Sequence, residues 1–440
     1  MATSDRRRFL SQLLGSGAAT LACPAWLQAA EKPEAKGSSR SGAGIFPERE
    51  GMEEIQGPQD EAYWRRVKDQ FSIAPGLILL NAANLCPSPY PVQEAVFRYT
   101  RDVNRDASFQ NRGKFGEMKE EARRSLADYL GALPEEIAIT RNTSEGNNSV
   151  VNGLDLGPGD EVVLWDQNHP TNNISWDVRA RRRGFSVRRV TTPPGSEDAA
   201  ELISAFAGAL TNRTRVLSFS HVSNVSGVGL PAKELCREAR DRGVLTLVDG
   251  AQTFGAFDLD LHDMGCDFFT GSSHKWFVGP KEAGLMFVRE ESQERLWPSD
   301  VGVGWEDAEL NGAQKFENMG QRDDAAVVTM ATAVAFHESI GPSAIEARVR
   351  DLAAAVKDGL ADAVPGIRFH TPRSQELSGG VVVFALPRGR HPEVFQAVYE
   401  THRLGCASMG GVFDGIRLSP HLYNTMAEVE TAVGAMAGHA

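Results

Sequence analysis

The stretch Leu245-Thr246-Leu247-Val248-Asp249-Gly250-Ala251-Gln252 decides how this chain reads. A short apolar run closed by glycine predicts a buried strand over Leu245 to Asp249. That strand would deliver the Asp249 carboxylate at its carboxyl end, where open α/β sheets bind their ligands. Working outward, Ser272-Ser273-His274-Lys275-Trp276 begins just past a second predicted strand, Asp267 to Gly271, and Lys275 stands 26 positions after Asp249 (275 − 249). A lysine that forms an imine with pyridoxal 5'-phosphate (PLP) needs a carboxylate on the far side of the pyridine ring. The carboxylate keeps the ring nitrogen protonated, so the ring can accept electrons from a substrate carbanion. Asp249 suits that role, Lys275 would reach the aldehyde carbon, and Gln252 could donate to the phenolic oxygen.

Around this pair, strand and helix patterns alternate. Strands are expected at Ile137 to Arg141, Glu161 to Trp165, Ser186 to Val190 and Val216 to Ser220. Helices are expected at Ser144 to Asn152, Thr171 to Arg183, Asp198 to Leu210 and Ala232 to Arg242, the last stopped by Gly243. Such alternation implies an α/β fold with a mostly parallel sheet covered on both faces. Helices follow at Asp324 to Ile340 and Pro342 to Ala363. A smaller α+β region then carries strands at Gly380 to Leu386 and Leu404 to Ser408 and a last helix from Thr425.

The chain of 440 residues carries a net charge of −12, which argues against a nucleic-acid partner. After the N-terminus it has no apolar run long enough to span a membrane. Its five cysteines (Cys23, Cys86, Cys236, Cys266, Cys406) form no Cys-x-x-Cys pair, so no metal site is expected. Cys266 and Cys236 read as buried small hydrophobes. Residues 1–30 open with Asp5-Arg6-Arg7-Arg8-Phe9-Leu10, then a mildly apolar stretch and small residues at Ala29-Ala30. This is the pattern of a twin-arginine signal, with a periplasmic or exported product and the Tat machinery as a partner. Residues 31–60, rich in Gly, Ser, Pro and charge, read as a flexible linker.

Further motifs stand in order along the chain: Arg141-Asn142-Thr143-Ser144-Glu145-Gly146-Asn147, His169-Pro170-Thr171-Asn172, His221-Val222-Ser223-Asn224 and Ile416-Arg417-Leu418-Ser419-Pro420-His421-Leu422-Tyr423-Asn424-Thr425. With the Asp249 and Lys275 segments, these resemble the class V aminotransferase family of PLP enzymes, from about Leu77 to about Val433. The branch most resembled is that of isopenicillin N epimerase, related to cysteine desulfurases. The resemblance implies PLP-dependent fold type I: a large PLP-binding domain over 95–335, and a small domain from 61–94 and 336–440. A homodimer with its active site near the subunit interface is implied as well.

The resemblance also assigns roles. Thr143 and Ser144, between strand and helix, would cradle the cofactor phosphate with backbone N–H groups and hydroxyls; as a lone signal Ser144 reads rather as an ordinary N-cap. Ser272 and His274 would add phosphate contacts. His169 would stack on the pyridine ring and relay protons. Asn224 would lie near the phenolic oxygen and the substrate carboxylate. Arg417, whose planar guanidinium suits bidentate capture, would anchor that carboxylate. Gln321, in Gly320-Gln321-Arg322-Asp323, stands where many relatives place a threonine that reaches the neighbouring subunit's phosphate. Its amide could replace that contact.

One departure bears on reaction type. Desulfurases carry a catalytic cysteine on a loop ahead of the anchoring arginine. Here Met409-Gly410-Gly411-Val412-Phe413-Asp414 offers no thiol, and Cys406 falls in a predicted strand. The expected function is a PLP enzyme acting on an amino acid or other small amino compound through a Lys275 imine and a Cα carbanion, of aminotransferase or epimerase type. An exported metabolite such as a siderophore is a candidate substrate. The alternatives are a C–S or β-eliminating lyase or desulfurase-like enzyme, and a catalytically silent binding protein that keeps the fold.

Overall fold

The computed structural model describes residues 58, 60–302 and 312–440. The leader over 1–30, and the linker over 31–60 apart from Pro58 and Asp60, lie outside the described residues. Every described residue belongs to one compact unit, within Glu48–Ala440.

Among the described residues there are thirteen strands, in chain order β1 (Ile78–Leu79), β2 (Ile137–Thr140), β3 (Glu161–Trp165), β4 (Ser186–Val190), β5 (Thr214–Ser220), β6 (Leu245–Asp249), β7 (Phe268–Ser272), β8 (Gly284–Val288), β9 (Arg368–Phe369), β10 (Val382–Ala385), β11 (Leu404–Gly405), β12 (Ala407–Met409) and β13 (Gly415–Leu418). A seven-stranded sheet has the order β2-β8-β7-β6-β5-β3-β4. The pairs from β7 through β6, β5 and β3 to β4 are all parallel. Only β8 runs against its neighbours β2 and β7. Strands β2, β3, β7 and β8 are buried along their whole length, as near-continuous apolar runs must be when helices cover both faces. Because β2, β3, β5, β6 and β7 point the same way, their carboxyl ends line one edge of the sheet. That edge holds Thr140, Trp165, Ser220, Asp249 and Ser272.

A second sheet, β12-β13-β10-β9, is antiparallel throughout and carries Arg417 opposite Val383 and Ala407. A separate parallel pair joins β1 to β11. The two main sheets keep separate cores: Val162, Leu164, Val216, Leu247 and Phe268 pack under the large one, Val382, Phe384, Ile416 and Leu418 with Leu352 and Val356 under the small one. Leu80, just after β1, belongs to the small-sheet core. The division into domains at 95 and 335 stands as a proposal, and its second boundary falls inside the helix Met330–Ile340.

Three expectations need correction. The helix expected over Asp324 to Ile340 is two helices, Asp324–Val328 and Met330–Ile340, meeting at Thr329. The strand expected over Leu404 to Ser408 is split at Cys406, because β11 pairs with β1 and β12 with β13. Strand β8 had no counterpart in the expectations. Its sequence Gly-Leu-Met-Phe-Val is uniformly apolar, so periodicity gives no helix–strand distinction.

Candidate active site

Asp249 reaches the sheet edge because β6 ends there, and Gly250 turns the chain in a space that admits no side chain. A Cβ on Gly250 would lie 1.9 Å from the Phe269 ring. Asp249 is buried, and both its oxygens are held: Oδ1 accepts from the Ala251 N–H at 3.0 Å and Oδ2 from Asn147 Nδ2 at 2.8 Å. Lys275 follows β7 by three residues. Burial depresses its ammonium below the ordinary lysine range; the Asp249 carboxylate opposes that shift and the Arg417 guanidinium adds to it. The turn beyond is held at Val278, where φ is +46° and the N–H returns to the Lys275 carbonyl at 2.9 Å. A β-branched residue in that region is strained backbone, of the kind that tertiary structure enforces at functional turns.

Asp249 and Lys275 share a cleft of 270 Å³, close to the smallest small-molecule sites. Thr143, Ser144, His169, Ser272 and His274 line it too. Asn142 caps the helix Thr143–Gly153, its side chain accepting from the Glu145 N–H, so Ser144 is not the N-cap. Ser272 Oγ accepts from the Thr143 N–H at 2.8 Å and pairs with Thr143 Oγ1 at 2.8 Å. The helix N-terminus and these hydroxyls form one end of the cleft, where an anion would meet the positive end of the helix dipole. His274 is pushed down to about 4 by burial and by Lys275 and Lys281, so it stays neutral. His169 caps the helix Pro170–Arg183, its Nδ1 accepting from the Thr171 N–H at 3.2 Å. Burial and then Lys275 lower its pKa, and a neutral ring with Nδ1 accepting carries its proton on Nε2.

The remaining expected residues do not line this cleft. Gln252 is committed to protein: its amide donates to the Ala83 carbonyl at 3.1 Å and its oxygen accepts from Trp276 Nε1 at 2.8 Å. The geometry therefore shows a brace between two segments. Arg417 donates to the Asn224 carbonyl at 3.0 Å and to Asn81 Oδ1 at 3.2 Å. Its Nε and Asn224 Oδ1 are buried without partners among the described residues, and burial lowers the guanidinium to about 10. An orphaned donor and an orphaned acceptor on two hydrogen-bonded residues suit a polar ligand. Gln321 accepts from Arg112 at 2.6 Å and donates to the Arg322 carbonyl at 2.7 Å. It borders a cavity of 370 Å³ with Arg112, Lys119 and Arg322.

Sequence reasoning gave no role to five residues of the cleft, Asn84, Asn142, Asn147, Thr171 and Ala251. Asn147 was legible: it stands four positions after Thr143 (147 − 143), on the same helix face. Nothing local marked Asn84, which reaches the cleft from a distant segment. Cys86 was read only as one of five scattered cysteines. Its buried thiol is close enough to feel Lys275, but burial pushes it up to about 12 and it donates to the Ala82 carbonyl.

Residues 79–431 match the family model described as aminotransferase class-V. The chain is 33% identical to an isopenicillin N epimerase of Amycolatopsis lactamdurans over 393 residues, 85% of this chain and 98% of that one. It is 29% identical to a probable cysteine desulfurase of Pyrococcus abyssi over 381 residues, 81% of this chain and 92% of that one. A solved C-DES variant, described with glycine covalently linked to the PLP cofactor, superposes with a TM-score of 0.76 at 22% identity, covering 84% of this chain and 98% of that one. The chain belongs to the class V aminotransferase family, and its fold is PLP-dependent fold type I. It is an enzyme of that type, and PLP is the cofactor to which a half-buried lysine, a buried carboxylate and a helix N-terminus in one cleft are fitted.

Proposed function

We propose that the protein is a PLP enzyme that labilises the Cα–H bond of an amino-acid or amino-compound substrate and returns the proton as an epimerase or an aminotransferase does. PLP supplies an electron sink for the carbanion. Lys275 Nζ would hold the cofactor and carry the Cα proton, a task helped by burial that lowers its basicity. Asp249 holds the ring nitrogen's proton. Thr143, Ser144, Ser272 and His274 bind the phosphate end, and His169 packs against the ring. Arg417, with Asn224, orients the substrate carboxylate, so that one Cα bond faces Lys275.

The observation that carries this choice of reaction is the placement of the thiols. Cys406 is buried between two strands of different sheets, and burial pushes it up to about 12. Residues 409–414 carry no cysteine. Cys86 is the thiol nearest in electrostatic terms to Lys275, and it too is held protonated. A desulfurase needs an accessible thiolate to accept sulfur, and these positions supply none. Incubation with candidate amino acids in deuterated water tests the reading: exchange at Cα is expected with any substrate turned over. Turnover without exchange would overturn it in favour of a decarboxylase or aldolase type.

The leader supports a wider reading: export of the folded, PLP-loaded enzyme by the twin-arginine route to the periplasm, with an exported metabolite such as a siderophore as the substrate class. Replacing Arg6 and Arg7 by lysine should leave an active precursor in the cytoplasm; normal export would sink this part. A homodimer is proposed with Gln321 at its interface. Phe109, 89% exposed, begins the same short helix whose Arg112 holds Gln321. Sedimentation of a monomer at micromolar concentration would contradict it.

A further inference from the structure

We propose that Asn147, fixed in turn by Thr270, is a positioning residue that sets the orientation of the Asp249 carboxylate toward the cofactor ring. This rests on the PLP reading of the cleft and adds a residue to it. Thr270 Oγ1 donates to Asn147 Oδ1 at 2.7 Å, and Asn147 Nδ2 donates to Asp249 Oδ2 at 2.8 Å. All three side chains are buried, Asn147 at 2% exposure and Thr270 at 0%. The order of donors leaves the asparagine amide one orientation. If it were flipped, Asn147 Oδ1 would oppose a carboxylate oxygen and Asp249 Oδ2 would lose its donor.

The backbone is shaped to allow this. Asn147 lies in the first half of the helix Thr143–Gly153, Thr270 in the middle of β7 and Asp249 at the end of β6. A Cβ on Gly146 would stand 2.8 Å from Thr270 Cγ2, so any other residue there would push the helix off the strand. Thr270 is β-branched and stiff about χ1, which aims its hydroxyl. Ala251 holds the other oxygen, Oδ1, through its N–H. The carboxylate is thus gripped at both oxygens by neutral donors. Neither donor cancels its charge, and each oxygen retains a lone pair for the ring nitrogen.

The test uses the purified holoenzyme and the variants Asn147→Ala and Thr270→Val, with cofactor content checked by borohydride reduction. Two properties are read: the pH at which the bound cofactor's visible absorption titrates, and kcat against KM. Asn147→Ala is expected to keep stoichiometric cofactor, shift the titration, and lower kcat about tenfold or more with KM changed less than about threefold. Thr270→Val should move both readouts the same way by a smaller factor. A parent-like titration and kcat in Asn147→Ala would overturn the proposal; should that variant not fold, the same result in Thr270→Val would do so. Loss of cofactor from both variants would also overturn it, by showing a binding role rather than an orienting one. A parent protein with no borohydride-sensitive absorption would instead defeat the PLP reading itself.

Discussion

Trp276 Nε1 donates to Gln252 Oε1 at 2.8 Å, and this one bond ties the segment that carries Asp249 to the segment that carries Lys275. Both partners are buried, so neither has water as an alternative. The other end of the Gln252 amide holds the Ala83 carbonyl, bringing in the chain beside Asn84 of the cleft. Trp276→Phe keeps most of the volume and leaves a buried acceptor unpaired, a loss of about 1–3 kcal/mol. The variant should melt lower, and its kcat should fall several-fold because the amine and the carboxylate are no longer braced. A parent-like melting temperature and rate would show that the brace is dispensable.

Lys275→Ala should abolish turnover and the borohydride-sensitive visible absorption. Lys281 is the other lysine of this loop, but its ammonium is occupied by the Cys86 carbonyl at 2.7 Å and Ser88 Oγ at 3.2 Å. It cannot take over without breaking those bonds. A stoichiometric reduced adduct in Lys275→Ala, mapped to Lys281 by peptide mass analysis, would reassign the nucleophile.

Asp249→Ala should retain PLP through the phosphate end of the cleft and lose about 100-fold or more in kcat, the scale of removing one preorganised electrostatic partner. Removing the carboxylate also strands the Asn147 amide, so some loss of stability should accompany it. Activity within a few-fold of the parent would show that Asp249 is not the partner of the ring nitrogen.

Stability should fall on mild acidification because of two histidines that pin the loop after Lys275. His421 Nε2 donates to the Trp276 carbonyl at 2.7 Å and His337 Nε2 to the Phe277 carbonyl at 3.0 Å. Burial lowers His337 to about 4 and His421 to about 3, against an ordinary 6.5. Their folded values lie below the unfolded one, so the unfolded chain binds more protons between those limits. Stability from this source is complete above pH 6.5 and declines as pH falls toward 4. Each histidine contributes up to about 1.4 kcal/mol per pH unit in that window. Urea unfolding at pH 7.5 and 5.5 should differ by about 1–3 kcal/mol, and His421→Gln should reduce the difference. Equal stability at both pH values would contradict the assignment.

The sequence alone determined the alternation of strands and helices, the strand ending in Asp249 and the lysine just past the next strand. These are local facts, written in apolar runs, glycines and spacing, and β3, β4 and β6 begin and end where the pattern puts them. Pattern could not decide which segments would meet. Asn84, Asn147 and Thr270 come together at Asp249 and Lys275 only because parallel β6 and β7 bring their carboxyl ends to one edge and Gly146 lets a helix settle on that edge. Gln252 shows the same limit. Its position beside Asp249 was legible, but its bonds to Trp276 and Ala83 were not, because an amide's partner depends on which donors folding buries beside it. Burial likewise decided the thiols: the place of Cys406 between β11 and β12, away from water, pushes its thiol up to about 12.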